Sequence, residues 1–523
     1  MLLIMRKTER KPLSFSTTMR NPDRIAGFIE CLLPFENQTL TSDVIRKIIC
    51  RVLNKKLYST VYQVGIPEYK RILNSDDDVY TEEQLNNIIN NSPQQHKEAG
   101  FEQGWDSRFD TWFKLPMEFG FVFYAMDQPI RVSNTGHMLI DAYKESPSDD
   151  RKIQNVFLNA MMKYQTDNPF RRNENSNVPL LLLLNVLNKL KADKTQNGAG
   201  VSRQELSLFI CWNDSDADAL YKKIIQIRND VGFKGSDEYF YEICLDLLGA
   251  DESMRKRFKI SQICGEAVDE YIRKMRSTGI ISFRGNGRFI DLNTLEEKKI
   301  DYVIQNYTAY KKYATCQEFY EYMGTIDSAI LDLEKGVKTD TSDIRKAALK
   351  KYAQVYPESK VFEELRLLST KKSSKDDMLK FLKAPTRLEF LTSIALVQHF
   401  KGLDVNANYS VDDEGLPTFT AGGDTSDIVC HDDDCDILVE VTLMCGRQDQ
   451  VNNEIIPIRR HLLEHKKKKE NSFSVFIAPR VHADTKEAVE WYKHKDDVDI
   501  IPFDIDEFIK KLTSVKKSSQ LLG

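Results

Sequence analysis

Long apolar runs are missing from this 523-residue chain. A membrane-spanning helix needs about 20 consecutive apolar residues, so none is expected. A cysteine framework is missing too. Nine cysteines are scattered without regular spacing, and the expectation is a cytoplasmic protein with reduced thiols. The opening Met-Leu-Leu-Ile-Met runs straight into Arg6 and Lys7, too short an apolar stretch for a secretory signal. Excess positive charge is also lacking, since the formal net charge is −5. A nucleic-acid partner would have to be met by local basic surfaces. Hydrophobic residues make up 41% and charged residues 29%, the balance of a globular protein. The length is too great for one core and suggests three or four domains.

The N-terminal part reads as helical with few strands. "LSFSTTMRNP" is strand-like, and "NPDRIAGFIECLLPF" is a helix with Asn21 as its cap and Pro22 at its first position. Thr81 caps a polar helix that begins at Glu82 and Glu83. The aromatic cluster Phe101, Trp105, Phe109, Trp112 and Phe113 is read as core. From Val178 the pattern changes. "VPLLLLLNVLNKLKAD" is a buried helix, and "NGAG" turns into a helix capped by Ser202 with Glu205 three residues on. A further helix ends near Gly232. These helices suggest a helix-turn-helix core. Next comes a helix carrying Arg273, Lys274 and Arg276. Two short strands follow, around the hairpin signal Arg284-Gly285-Asn286-Gly287-Arg288. A basic helix followed by a basic hairpin is how a winged helix ends, with the five basic residues as DNA contacts. Any helix–hairpin unit shows the same outline, so both readings stand at this level.

Residues from about 294 to 368 are helical and carry no chemical motif. "STKKSSKDD", 369 to 377, is a polar linker sequence. Beyond it the pattern alternates between helices and strands. The stretch "SDIVCHDDDCDILVEVTLM" sets Asp427 at the head of one apolar run and Glu440 inside the next. A buried, unpaired carboxylate is costly and tends to take up a proton. Glu389 lies between Leu388 and Phe390 on an apolar helix. Three acids from three elements of one α/β unit could share a hard cation such as Mg²⁺, which prefers oxygen ligands. The alternative is that Asp427 and Glu440 flank a hairpin and face solvent. "CHDDDC" is read as a hairpin tip, because zinc would need a second ligand pair. The Lys466–Lys469 run is either a solvated helix end or part of a DNA path.

The C-terminal stretch resembles the PD-(D/E)xK nuclease core, with Ser426 in place of the Pro and Thr442 in place of the Lys. The departures fit the AlwI-like type IIS restriction endonucleases and the related large nicking subunits. The chain resembles that family through "KPLSFSTTMRNPDRIAGFI", the winged-helix middle, and "PTRLEFLTSIAL … GGDTSDI … ILVEVTLMCGRQDQVNNEIIPIRRHL". The resemblance implies catalytic roles for Glu389, Asp427 and Glu440, with Glu454 and His461 on the following helix. Glu389, Asp427 and Glu440 would be the Mg²⁺ ligands. With no lysine at 442, help is expected from the 446–461 segment, where Arg447, Gln448 and Gln450 precede the helix.

The expected architecture is multidomain, mixing α+β and α/β parts. An N-terminal DNA-recognition subdomain covers 1–170 and a winged-helix DNA-recognition subdomain 171–294. A helical linker covers 295–377, and a PD-(D/E)xK restriction-endonuclease-like α/β cleavage domain 378–523. The expected activity is Mg²⁺-dependent cleavage of double-stranded DNA a few base pairs outside a short asymmetric site. Expected partners are the duplex itself, a second copy or a small nuclease subunit for the second strand, and a cognate DNA methyltransferase. No membrane partner is expected. Two other readings stay open: a strand-specific nicking enzyme or large subunit of a heterodimer, and a DNA-binding regulator with an inactive nuclease fold. An RNA-directed nuclease is disfavoured by the winged-helix pattern.

Overall fold

The computed structural model describes residues 9–15, 19, 21–145, 149–307, 310–333, 340–423 and 425–522. The chain forms two compact units. The first comprises 1–63 and 81–337, the second 64–80 and 338–523. Among the described residues no helix is long and apolar enough to cross a membrane, and all nine cysteines are free.

The first unit is mainly helical. Phe109, Trp112 and Phe113 are fully buried, and the Phe109 and Phe113 rings lie 4.7 Å apart. These three are core, as expected, whereas Phe101 and Trp105 of the same cluster are half-buried. Thr81 caps its helix in a reciprocal box with Gln84. Asn21 does not act as a cap: helix Asp23–Leu32 has no side-chain cap, and Asn21 Oδ1 accepts from Arg273 instead. In the strand-like stretch 13–22, residues 16–18 and 20 lie outside the described residues, and 13–15, 19, 21 and 22 form no strand.

The later part of this unit is built on helix Pro179–Ala192 (α1), strand Val201–Ser202 (β1) and helix Leu206–Cys211 (α2). Helices Ala217–Val231 (α3) and Asp237–Leu248 (α4) follow. A π-helical turn, Ser261–Glu266, leads into helix Ala267–Arg276 (α5). Strands Ile281–Arg284 (β2) and Phe289–Leu292 (β3) form the hairpin. The sheet order is β1-β3-β2, with Arg284 opposite Phe289. Gly285, Asn286 and Gly287 all have positive φ, the conformation that only such residues adopt readily. Ser202 and Glu205 do exchange the two bonds of a capping box, but they do so in the turn between β1 and α2.

Glu205 is also the partner of buried Arg228 on α3, at 2.7 Å. Arg228 donates further to Gly200 O (2.6 Å) and Gln196 Oε1 (2.9 Å), which ties α3 to the β1 turn.

The second unit contains a five-stranded mixed sheet. Its strands are Asp404–Ala407 (β4), Ile428–His431 (β5), Asp436–Val441 (β6), Phe473–Ala478 (β7) and Ile500–Asp504 (β8). The order is β8-β7-β6-β5-β4. β6 runs parallel to β7 and antiparallel to β5. Being central, β6 is apolar almost throughout, as a strand with two neighbours and two covered faces must be. Helices Ser342–Val355 (α6) and Glu358–Ser369 (α7) pack on helix Ala384–His399 (α8), and α8 packs on β4. These two helices come from the stretch expected to be a spacer. The segment 64–80, far upstream in sequence, belongs to this unit as well. Its Asp76 pairs with Lys371 at 3.1 Å, and Asp77 accepts from the Arg447 amide at 3.4 Å.

Replacing Glu205 by Ala should strand the buried Arg228 charge and destabilise the first unit by about 3–5 kcal/mol. Glu242→Ala, which removes an exposed partner of Arg255, should leave stability unchanged. Urea unfolding followed by tryptophan fluorescence distinguishes the two.

Candidate active site

Asp427 immediately precedes β5 and Glu440 is the penultimate residue of β6. Ile428 pairs with Val439, so the next antiparallel step sets Asp427 directly opposite Glu440. Directly opposed residues in a ladder project from the same face. The two acids are locked by reciprocal backbone bonds. Val441 N donates to Asp427 Oδ2 at 2.7 Å, and Asp427 N donates to Glu440 Oε2 at 3.3 Å. Asn408 holds the entry to β5, donating from its backbone to Asp427 O (2.8 Å) and from its side chain to Ser426 O (2.7 Å). The acids therefore sit inside the sheet and not on a solvent-facing edge hairpin.

Glu389 reaches the same place from α8. That helix is apolar around most of its circumference, with Leu388, Phe390, Leu391 and Ile394 all buried, so it lies inside the unit and takes Glu389 with it. The Glu389 carboxylate accepts from Ala421 N at 3.1 Å. Glu454 arrives from a π-helical turn, Asp449–Ile455, that opens helix Ile456–Lys466 (α9). Such turns recur at functional sites because they re-aim side chains. The Thr442 hydroxyl lies beside the Glu454 carboxylate and favours its charged form. His461, two turns along, places Nδ1 3.3 Å from Glu440 Oε1. Its Nε2 is buried and has no hydrogen-bond partner among the described residues.

The electrostatics follow from this crowding. Burial, then the charges of Glu389 and Glu440, push the Asp427 carboxyl well above the usual range, while the Val441 amide pulls the other way. Burial raises Glu454 to about 7, with the Thr442 bond opposing. His461 is raised by its bond to Glu440. The main influences on Asp427 and Glu454 are burial, neighbouring carboxylates, the Val441 amide and the Thr442 hydroxyl, with no lysine or arginine among these. The cluster is a set of hard oxygen donors short of positive charge, which suits a hard divalent cation. Among the described residues no three His, Cys, Asp or Glu side chains are set to share one ion directly. A cation bound here would rest on one or two carboxylates and keep water, as Mg²⁺ commonly does.

All five acid and histidine positions named from the sequence thus converge. Nothing in the sequence indicates that the Thr442 hydroxyl stands beside Glu454. Gln450, expected to help, is not free to do so. That side chain is buried and spent, donating to Met444 O (2.8 Å) and Arg480 O (2.7 Å) and accepting from His482 N and Thr485 Oγ1. "CHDDDC" is the β5–β6 hairpin, with His431 opposite Asp436. Within the lysine run, Lys469 is bound to Asp436 (3.1 Å) and Lys466 to Asp497 O (2.8 Å).

The basic residues of the first unit fare differently. Lys274 is fully buried, donating to Met19 O (3.0 Å) and paired with Glu270 (3.1 Å). It presents no charge to solvent. Arg273 is bonded to Asn21, and Arg276 stacks over Phe283 at 4.3 Å. Arg284 donates to Ser282 Oγ (2.5 Å) and Leu292 O (2.9 Å). Only Arg288 of the five is exposed, at the hairpin tip. A run of basic letters does not reveal that the last turn of α5 faces inward.

An apolar central strand with paired acids, flanked by helices that each deliver one more acid, is the sort of site that hydrolyses phosphodiesters. The sequence pattern of the AlwI restriction endonuclease family matches residues 117–356 and 335–511. The chain belongs to that family and is a nuclease. No curated protein matches it in sequence. Three solved structures are similar to it. The small subunit of the heterodimeric restriction endonuclease R.BspD6I is 24% identical over 29% of this chain and 77% of its own, with a TM-score of 0.25. The BpuJ1 endonuclease binding domain, solved with pyrene- and phenanthrene-modified DNA, is 12% identical over 61% and 98%, with a TM-score of 0.36. Restriction endonuclease FokI is 12% identical over 98% and 95%, with a TM-score of 0.23.

Raised carboxyl pKa values carry a sign for stability. Glu454 holds its proton more tightly when folded, so its contribution is full below about 4.5 and is lost as pH rises towards about 7. Asp427 acts in the same sense. In EDTA, Glu454→Gln should therefore stabilise the protein by about 1–3 kcal/mol at pH 8 and by much less at pH 5. Asp427→Asn should also raise the melting temperature at pH 8. Differential scanning fluorimetry at the two pH values checks both.

Proposed function

We propose that the protein is a site-specific type IIS DNA endonuclease, dependent on Mg²⁺, that binds a short asymmetric duplex site and cuts a few base pairs outside it. The observation that carries this reading is the Asp427–Glu440 pair locked face to face across β5 and β6 in a chain of a restriction endonuclease family. In it, the second unit's sheet is a PD-(D/E)xK-type cleavage core. The first unit's α1, β1, α2, α5, β2 and β3 form a winged helix, because that fold orders its three strands as β1-β3-β2 and ends on a helix and a hairpin.

Asp427 and Glu440 would hold Mg²⁺, with Glu389 nearby, and the ion would supply Lewis-acid polarisation of the scissile phosphate. The chain's own residues do the remaining work. Glu389, fixed by the Ala421 amide, adds negative charge beside Asp427 and so strengthens the demand for a cation. Glu440 orients His461 through Nδ1 and leaves Nε2 to take or give a proton. The Thr442 hydroxyl beside Glu454 favours the charged form of that carboxyl, so a hydroxyl and a carboxyl stand where the motif lysine would be.

Asp427→Ala and Glu440→Ala should each lower cleavage by on the order of 10³-fold or more while leaving duplex affinity near wild type. Plasmid cleavage and gel-shift titration with the same preparations test this. Loss of selective binding equal to the loss of cleavage, in a folded variant, would overturn it. One acid constellation per chain, among the described residues, attacks one strand at a time. Supercoiled plasmid at low enzyme should therefore accumulate open circles first. Linear product should then rise more steeply than first order in enzyme if a second copy cuts the other strand, and stay absent if a separate subunit is needed. Prompt first-order linear product from a monomer would contradict this.

A further inference from the structure

We infer that Gln262 and Glu266, at the start of the helix preceding the hairpin, read base edges, in place of the basic residues at that helix's end. The inference rests on the winged-helix reading of the first unit. In helix-turn-helix folds the recognition helix enters the major groove with its N-terminal residues on the bases. Here that helix is the π-turn Ser261–Glu266 continued by α5. Its far end is closed: Lys274 is fully buried, and Arg273 and Arg276 are bonded or stacked inside the unit. Its near end is open. Ser261, Gln262 and Glu266 are exposed, while Ile263 and Val268 anchor the inner side.

The open face also leads to the hairpin tip. Gln262, Glu266 and Asp269 succeed one another at three- and four-residue steps, the spacing of one helix face. Asp269 is paired with Arg203, and the Arg203 amide donates to Arg288 O at 3.1 Å. Arg203 therefore couples the helix face to the exposed Arg288. A duplex laid along that face meets Gln262 and Glu266 in the groove and Arg288 at its backbone. This division of labour, uncharged or acidic groups on bases and a cation on phosphate, is how position and sequence are read separately.

The side chains indicate which bases. Glu266 only accepts hydrogen bonds, and the major-groove donor that suits it is the cytosine N4 amino group. Gln262 Oε1 accepts from Lys259 N at 3.0 Å, which leaves its NH₂ to donate to an acceptor such as a purine N7. An acid on a base-reading surface also repels phosphate, so Glu266 lowers affinity for duplexes that lack its cytosine.

A randomised duplex library, selected for binding by the wild type and by Gln262→Ala and Glu266→Ala, tests the assignment. Glu266→Ala should relax the preference for one C·G pair by roughly 10- to 100-fold and strengthen binding to other sequences. Gln262→Ala should relax an adjacent position. Neither should change the dependence of affinity on salt, whereas Arg288→Ala should lower the log–log salt slope by about one. Wild-type preference at every base pair in both variants would overturn the assignment and leave the endonuclease reading intact. A wild type without any sequence preference would overturn both.

Discussion

Repulsion between buried carboxylates organises the second unit. Asp427 and Glu440 are brought together by strand pairing, which is indifferent to charge; the Val441 amide fixes Asp427 and the Asp427 amide fixes Glu440. Glu389 and Glu454 add to the same field. A fold that wanted only stability would place apolar residues at these positions, since β6 is otherwise apolar and central. The protein instead keeps an energetic debt that protons or a cation must settle. Three features hold the acids in place: the apolar α8 behind Glu389, the Thr442 hydroxyl beside Glu454, and the clamp made by Gln450 within the π-turn.

The first unit solves a different problem. Its hairpin and helices are pinned by a buried Arg228–Glu205 pair and by Lys274 with Glu270. Positive charge in this unit is spent inside at several positions, so the net charge of −5 does not say how charge is distributed over its surface. What counts is the charge left outside, not the sum.

Much of this was legible in the sequence, and the gaps have physical causes. The strands of the second unit from β5 onward stand out as short apolar runs between helical patterns, and the Gly-Asn-Gly hairpin stands out because its φ values allow few other residues. The acid set was legible because carboxylates inside apolar runs are rare. β4 was not seen: its sequence, Asp-Val-Asn-Ala, is half polar, and it forms only because β5 offers an unpaired edge. The burial of Lys274 and Gln450 was also hidden, because both depend on partners far away in sequence, Met19 O and Arg480 O. Asn21 looked like a helix cap and instead serves Arg273. In each case a tertiary partner outbid the local one.

The strap at 64–80 has a consequence for how such proteins could be shuffled. The second unit is not one continuous stretch, because 17 residues of it are encoded between two parts of the first. The chain passes from one unit to the other three times. A single recombination point near residue 338 would move the whole five-stranded sheet into a new host but leave Asp76 and Asp77 behind, so that Lys371 and the Arg447 loop lose their partners. The second unit is therefore not a cassette that can be cut out at one end. Descent in which the two units change together is the route that this connectivity favours.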